Sequence, residues 1–361
     1  MLKLIDITDL YHPHQDVGDN FDLIMPYALP DVDLLLVVLD CTGKFREPYA
    51  HHSEWPDSNG PREPGVIPVT QLNYIFNRNT PFGISPLEPM RSICDKMLDI
   101  PAYQNQGVDM LLKTLEESDC PVDISVFGSL RSLAVAYNRN PELLLEKVRM
   151  IHISAGCSTP DYLEWNVLLD QNAFVCILRS PLPLTLYPCK TGKGAFAPSE
   201  FCTFWSLNDL GFIKNMDKQL QQYLCYAFNK TLRHDFLRAM DEEPNPAELD
   251  KFCGWQHNVW ETAIWLEMTN RKLVERADGS FRIVPSSDVA ATDKIFKTDI
   301  LPCKLTVQDT GIFEFALCPE GETNKFIYRA SDPVGQEKAL NEALGVLYSS
   351  FKKSIFTTRF L

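Results

Sequence analysis

The sequence predicts an α/β fold: doubly wound, with a mostly parallel central sheet flanked by helices, and a small β-hairpin region and closing helix near the C-terminus. Three observations carry this expectation. Short, near-continuously apolar runs recur along the chain, segments with helical spacing lie between them, and the pattern shortens after about Leu273. Continuous apolar runs suit strands buried on both faces, and their alternation with helices suits parallel strands.

In chain order the strand-like runs are "LKLI" at 2–5, "VDLLLVVL" at 32–39, "VIPV" at 66–69, "VDISVFG" at 122–128 and "RMIHIS" at 149–154. Between them, "LEPMRSICDKML", "GVDMLLKTLEES" and "SLRSLAVAYNRNPELLLEKV" carry helical spacing. The stretch from Cys41 to Arg62 is rich in Pro, Gly, Ser and charge and reads as a long surface loop. Beyond Leu273, "KLTVQDTGIFEFALC" and "KFIYRAS" read as hairpin strands, and "QEKALNEALGVLYSSFKK" as a closing helix. One domain over 1–361 is expected, with a core over about 1–272 and the hairpin and helix over about 273–361.

The 361 residues are 45% hydrophobic, enough for a sizeable core. A formal net charge of -14 and a pI near 5.0 argue against nucleic acid as a partner, since a phosphate-tracking protein needs a basic face. No apolar run is long enough to span a membrane, and the first residues run straight into a strand-like segment instead of a signal-like n-region and h-region. A cytoplasmic location and no membrane partner are therefore expected. The eleven cysteines are scattered, odd in number and without a C-x-x-C, so they read as reduced and mostly buried thiols.

The chemistry concentrates in "LIDITDLYHPHQDVGDNFDL", residues 4–23, where five aspartates and two histidines follow the first strand. Carboxylates crowded this way repel one another unless they are solvated or share a cation. In an open parallel sheet, ligands bind beyond the carboxyl ends of the strands, where Asp6, Asp9, Asp16, Asp19 and Asp22 could converge. A hard cation such as Ca²⁺ would suit several carboxylate oxygens. The alternative is a solvated acidic loop with Asp19 or Asp22 capping the following helix.

Five stretches, in order, resemble the inosine-uridine nucleoside hydrolase family. "ITDLYHPHQDVGDNFDLIM" is similar to its opening D-T-D-x-x-x-D-D motif, and "PDVDLLLVV" to its second strand. "VFGSLRSLAVAYNRNPELL" resembles its G-P-L-T-N-L-A-x-A block, "MIHISAG" its strand ending in M-G-G, and "LEWNVLLDQNAF" its E-F-N-x-x-x-D-P-x-A block. The similarity covers roughly residues 2 to 270.

The resemblance implies a Ca²⁺-dependent hydrolase of N-glycosidic or related furanosyl bonds, acting on a small-molecule glycoside or nucleoside-like substrate. Asp9 would be a metal ligand and the base that activates water, with Asp19 the second carboxylate ligand. A backbone carbonyl of Gly128-Ser129-Leu130-Arg131 would add an oxygen, the Arg131 side chain being read as a solvated helical residue. Glu164 and Asn166 would reach sugar hydroxyls, against the alternative of an exposed helix start. The family's H-D-x-x-A-x-A helix is best matched by "QHNVWETAIWLEM", which puts His257 at the leaving group and Asn258 on the metal, with Glu261 a competing carboxylate one turn on. "LRHDFLRAM" offers a literal His234-Asp235 pair but reads as a helix with a solvated face.

The departures bear on specificity. Asp9 and Asp19 stand further apart than the motif's carboxylates, so a longer loop brings in His12 and His14 as candidate substrate contacts. Gly18 falls where the motif has an acid, which puts inosine and uridine in doubt as good substrates. A non-catalytic sugar- or nucleoside-binding protein is the alternative. An aspartate phosphotransferase of the haloacid dehalogenase type is disfavoured, because "DITDL" lacks the D-x-D-x-[TV] signature. A homo-oligomer is also expected.

Overall fold

The computed structural model describes residues 1–13, 16–43 and 63–351, and within them strand and helix alternate as expected. The central sheet comprises, among the described residues, nine strands. They are β1 (Leu2–Thr8), β2 (Val32–Leu39), β3 (Phe82–Ile84), β4 (Val122–Val126), β5 (Val148–Ser154), β6 (Leu184–Tyr187), β7 (Thr298–Val307), β8 (Phe313–Leu317) and β9 (Lys325–Ala330). Across the sheet they lie in the order β8-β7-β9-β6-β5-β4-β1-β2-β3. Neighbours run parallel from β3 to β9, and β7 and β8 close one edge antiparallel.

Both faces of this sheet are covered, which is why its strands read as continuous apolar runs. Along β1, Leu4 enters one core while Ile5 and Ile7 enter the other. Along β2, Val37 and Leu39 separate in the same way from Leu36 and Val38. The first core is roofed by α1 (Val17–Ala28) and α2 (Val66–Ile75), and the second by α3 (Gln106–Glu117) and α4 (Arg131–Arg139). Further along the chain come α5 (Pro141–Lys147), α6 (Trp165–Leu169), α7 (Gln171–Arg179), α8 (Lys218–Phe228), α9 (Pro246–Lys251), α10 (Thr262–Met268) and α11 (Pro333–Ser350). None of the described helices is long and apolar enough to cross a membrane. The cysteines are free thiols, most of them buried.

Three local expectations are corrected. "VIPV" opens α2 instead of forming a strand; a four-residue apolar run does not distinguish the two, and Pro68 is tolerated in a first helical turn. "LEPMRSICDKML" is a chain of turns, in which Arg91 grips Asp95 and Asp99. The hairpin expected in "KLTVQDTGIFEFALC" is present as β7 and β8, the antiparallel edge of the central sheet, but "KFIYRAS" is not a hairpin strand: it is β9, inserted between β7 and β6 and parallel to β6. Of the expected Cys41–Arg62 loop, residues 44–62 lie outside the described residues.

Candidate active site

β1 pairs with β2 on one side and β4 on the other, so the direction of winding reverses beside it. That is where an open α/β sheet leaves a crevice. A cleft of about 490 Å³ lies there, floored by Asp9, Phe127, Ser154 and Cys189, each just beyond or at the carboxyl end of a strand. Asp16 and Asp19 enter from the start of α1, Glu164 and Asn166 from the start of α6, and Trp260 and Glu261 from the turn before α10. Phe196, Phe204 and Trp260 pack edge-on and tilted against one another, with ring centroids 5.4–6.1 Å apart, and Phe196 and Trp260 form an aromatic wall of the cleft.

Asp9 is buried at the β1 terminus, and an acid absent from the sequence reading, Asp40, lies behind it at the end of β2. Asp40 accepts from the Ser129 amide at 2.6 Å and from Ser85 Oγ at 3.0 Å. Gly128 makes this approach possible: a Cβ there would stand 2.8 Å from Asp40 Oδ2 and 3.0 Å from the Asp9 Cβ. The signal was available, since Asp40 ends an apolar strand just as Asp9 does. Arg131 corrects the expectation of a solvated side chain. Its guanidinium is fully buried, donating to Asp170 Oδ2 at 2.9 Å and to the carbonyls of Cys41, Pro86 and Leu169.

At the start of α1, Asp16 is the N-cap: its side chain accepts from the Gly18 amide at 2.6 Å, and its Oδ1 lies 3.1 Å from His257 Nε2. Asp19 faces the cleft and Asp22 lies one turn deeper. The stretch expected to be one helix from Gln256 is two elements. His257–Val259 is a strand pairing with Trp205–Leu207, and α10 begins only at Thr262. Strand alternation turns His257 toward α1 and leaves Asn258 exposed, so the structure does not bring Asn258 to the acids and brings Glu261 instead. His234 and Asp235 lie in a turn, Asp235 held by Arg233, and neither lines the cleft.

Glu164 caps α6, accepting from the amides of Gly156, Asn166 and Val167 at 3.0, 2.8 and 3.2 Å. It is a helix start, as its alternative reading had it, but a buried one on the cleft wall. Asn166 spends its amide donors on the carbonyls of Phe127 and Ser154, which leaves its oxygen for the cleft. His12 is packed away from the cleft: its ring stacks on Tyr226 at 5.3 Å, and Nε2 donates to the Thr231 carbonyl at 2.8 Å. Burial pushes its pKa down, so the ring is held neutral. His14 lies outside the described residues.

The cleft lining contains no Lys, Arg or His among the described residues. Burial raises the Asp9 carboxyl well above its ordinary range, and the charges of Asp40, Asp16, Glu164 and Glu261 push it the same way. Asp19 is raised by burial and then by Asp9, Asp16, Glu261 and Asp22, while Glu261 is raised to about 7 by burial and by Asp16. Burial would lower His257, yet the Asp16 and Glu261 carboxylates raise it net. Oδ2 of Asp19 is buried without a protein partner. A hard cation fits this donor set chemically, oxygen-rich and short of positive charge. Among the described residues, however, no three His, Cys, Asp or Glu side chains stand arranged to ligate one.

No protein-family model and no curated protein matches the sequence. Among solved structures the chain is similar to an inosine-guanosine nucleoside hydrolase, at TM-score 0.52 and 15% identity over 94% of this chain and 98% of that one. It is similar also to the purine-preferring ribonucleoside hydrolase from Gardnerella vaginalis, at TM-score 0.53 and 12% identity over 96% of this chain and 99% of that one. Almost from end to end, the chain carries the nucleoside hydrolase fold.

Proposed function

We propose that the cleft hydrolyses an N-glycosidic or related furanosyl bond of a small-molecule glycoside or nucleoside-like substrate. The observation that carries this reading is the convergence of the buried Asp9 and Asp19 with the partly buried Glu261 at the crevice beside β1, in a lining that among the described residues has no basic side chain. The two solved structures cited above are named for cleavage of nucleosides, which fits bond cleavage at an anomeric carbon.

Ca²⁺ would be held by Asp9 and Asp19, with a carbonyl from the 128–131 segment, and when bound it supplies a lowered pKa for an attacking water and a template for sugar oxygens. Asp9 would accept the water's proton; burial and neighbouring carboxylates hold its carboxyl well above the ordinary range, and a cation beside it would favour the charged form. Attack falls on one face of an oxocarbenium-like centre while the leaving group departs on the other. Glu261, raised to about 7, carries a proton in about half of the molecules at neutral pH and is the acid that would hand it to the departing group. His257 does not take that role in this reading, because its Nε2 is directed at Asp16. The aromatic wall of Phe196 and Trp260 covers the leaving group, and Asn166 offers its oxygen to the sugar.

The second reading, a non-catalytic sugar- or nucleoside-binding protein, is favoured by the lack, among the described residues, of a ready ligating cluster. Hydrolysis of p-nitrophenyl β-D-ribofuranoside, with and without added Ca²⁺, separates the two. Turnover that requires the metal and is lost in Asp9→Asn supports the hydrolase; tight binding of the glycoside without release of nitrophenol supports the binder.

A further inference from the structure

The two edges of the central sheet are finished differently. β3 is three residues long, follows Pro81 and is pressed against the start of α3, where a Cβ on Gly83 would stand 2.9 Å from the Cα of Gly107. A short, covered edge does not accept a further strand. β8 is five residues long, contains neither Pro nor Lys, and pairs with β7 in one continuous register without a bulge.

The direction of its backbone groups follows from that register. The Cys318 N–H donates to the Pro302 carbonyl at 3.1 Å. Opposed residues of an antiparallel ladder alternate between bonded and non-bonded pairs, so the bonded ones here are Ala316 with Lys304 and Glu314 with Thr306. Phe313, Phe315 and Leu317 therefore turn their N–H and C=O groups outward. The Phe313 N–H does so to meet the Cys157 carbonyl at 3.2 Å, whereas Phe315 and Leu317 have no outward backbone partner among the described residues. Glu314, Ala316 and Leu317 are exposed, Leu317 at 52%.

A second copy of the same strand, related by a two-fold axis, satisfies this edge. Setting Phe315 opposite the partner's Leu317 engages every outward N–H and C=O of both residues on both strands. A register centred on Phe315 would spend Leu317 on the occupied Phe313 N–H, and one centred on Leu317 would oppose Phe315 to Pro319, which has no N–H. The favoured register places Ala316 on the axis as a non-bonded pair, where Cα atoms approach most closely, at about 4.5 Å, and where a small side chain fits. It covers the exposed Leu317 with the partner's Phe315 and sets Glu314 opposite the partner's Cys318, so that no like charges face directly.

We infer that β8 is a dimerisation edge: two copies of the chain join β8 to β8, antiparallel, about a two-fold axis through Ala316, and their central sheets run on as one. The contact does not depend on the chemistry of the cleft. Because a two-fold pairing uses up the edge on both copies, assembly stops at two.

The test is sedimentation velocity over a wide range of protein concentration, for the wild type and for Leu317→Pro, which deletes an outward N–H and leaves the bonds to β7 in place. The wild type should form a dimer as concentration rises, and Leu317→Pro should raise the dissociation constant by at least roughly 10-fold, with the melting temperature unchanged. Ala316→Cys under mild oxidation by glutathione disulfide should give a covalent dimer on a non-reducing gel, since a non-bonded pair on the axis lies within disulfide reach. Leu317→Cys, displaced from the axis, should not, nor should the wild type with its own thiols. If Leu317→Pro lowers the melting temperature, the two cysteine variants decide alone.

A wild type that stays monomeric at every concentration overturns the inference. So does a dimer that Ala316→Cys fails to cross-link, a dimer that a normally folded Leu317→Pro leaves intact, or a ladder of larger oligomers, which a closed two-fold contact does not produce.

Discussion

Arg131 donates from Nε to Asp170 Oδ2 across 2.9 Å, and solvent reaches neither side chain. The pair ties the start of α4 to the junction of α6 and α7, and the same guanidinium holds the carbonyls of Cys41 and Pro86. Two strand-end segments and a helix junction are thereby fixed to one group.

Arg131→Met should therefore destabilise the protein by about 3–5 kcal/mol, because it strands a buried carboxylate and three carbonyls. Urea denaturation of the variant provides the measurement. A loss below about 1 kcal/mol would show that Asp170 is satisfied by the Met90 and Ala173 amides alone.

Stability should depend on pH through Asp6, which is buried on β1 and receives Ser125 Oγ at 2.5 Å. Burial raises its pKa to about 7, with the Ser125 bond opposing. The folded state thus keeps a proton that the unfolded chain gives up near pH 4. This contribution is whole below the unfolded value and is lost as pH rises through about 7; Glu261, also raised to about 7, has the same sign. Asp6→Asn, neutral throughout, should have a flatter stability curve than wild type between pH 4 and 8, and at pH 8 it should be the more stable by about 1–3 kcal/mol. Equal slopes would contradict the argument.

Added Ca²⁺ should raise the melting temperature of the metal-stripped protein, and EDTA should reverse the change, since a ligand of the folded state stabilises it by mass action. Asp19→Asn should weaken the response strongly. The experiment is a melting series from micromolar to millimolar Ca²⁺, and a flat series for the wild type would rule out a cation held by Asp9 and Asp19.

Glu164→Ala and His12→Ala should part in their effects. Removing Glu164 strips the Asn166 and Val167 amides at the start of α6 and the Gly156 amide after β5, at a cost of about 1–2 kcal/mol, and disturbs the cleft wall, so KM should rise. Removing His12 should cost about 1–3 kcal/mol through lost packing on Tyr226 with KM unchanged. Parallel melting and kinetic measurements distinguish them, and a raised KM in His12→Ala would return that residue to the substrate.

The layered fold was legible because both faces of the sheet are covered, and strands such as Val32–Leu39 consequently spell continuous apolar runs. Asp9, Asp19 and Glu261 were legible as acids near strand and helix ends. What escaped depended on partners distant in sequence. Arg131 looks like any helix-start arginine until Asp170 and the carbonyls of Cys41 and Pro86 surround it. His257 and Asn258 were placed on a helix by spacing and by their match to the H-D-x-x-A-x-A block, whereas pairing with Trp205–Leu207 makes them strand residues that face opposite ways. Asp16 was seen only as one acid among several, because its relation to Gly18 and His257 exists only in three dimensions.

The position of β9 has a consequence in time. It is the last of the sheet's strands to be synthesised, yet it lies between β6 and β7, with Lys325 opposite Leu184 and Phe326 opposite Thr185. On the ribosome, Leu184–Tyr187 therefore waits with one edge unpaired through more than a third of translation, and an unpaired edge is a template for the wrong strand. A nascent chain that stops short of Lys325 already has every acid of the cleft but no partner for that edge. Premature termination should accordingly give an insoluble product, not a smaller working one.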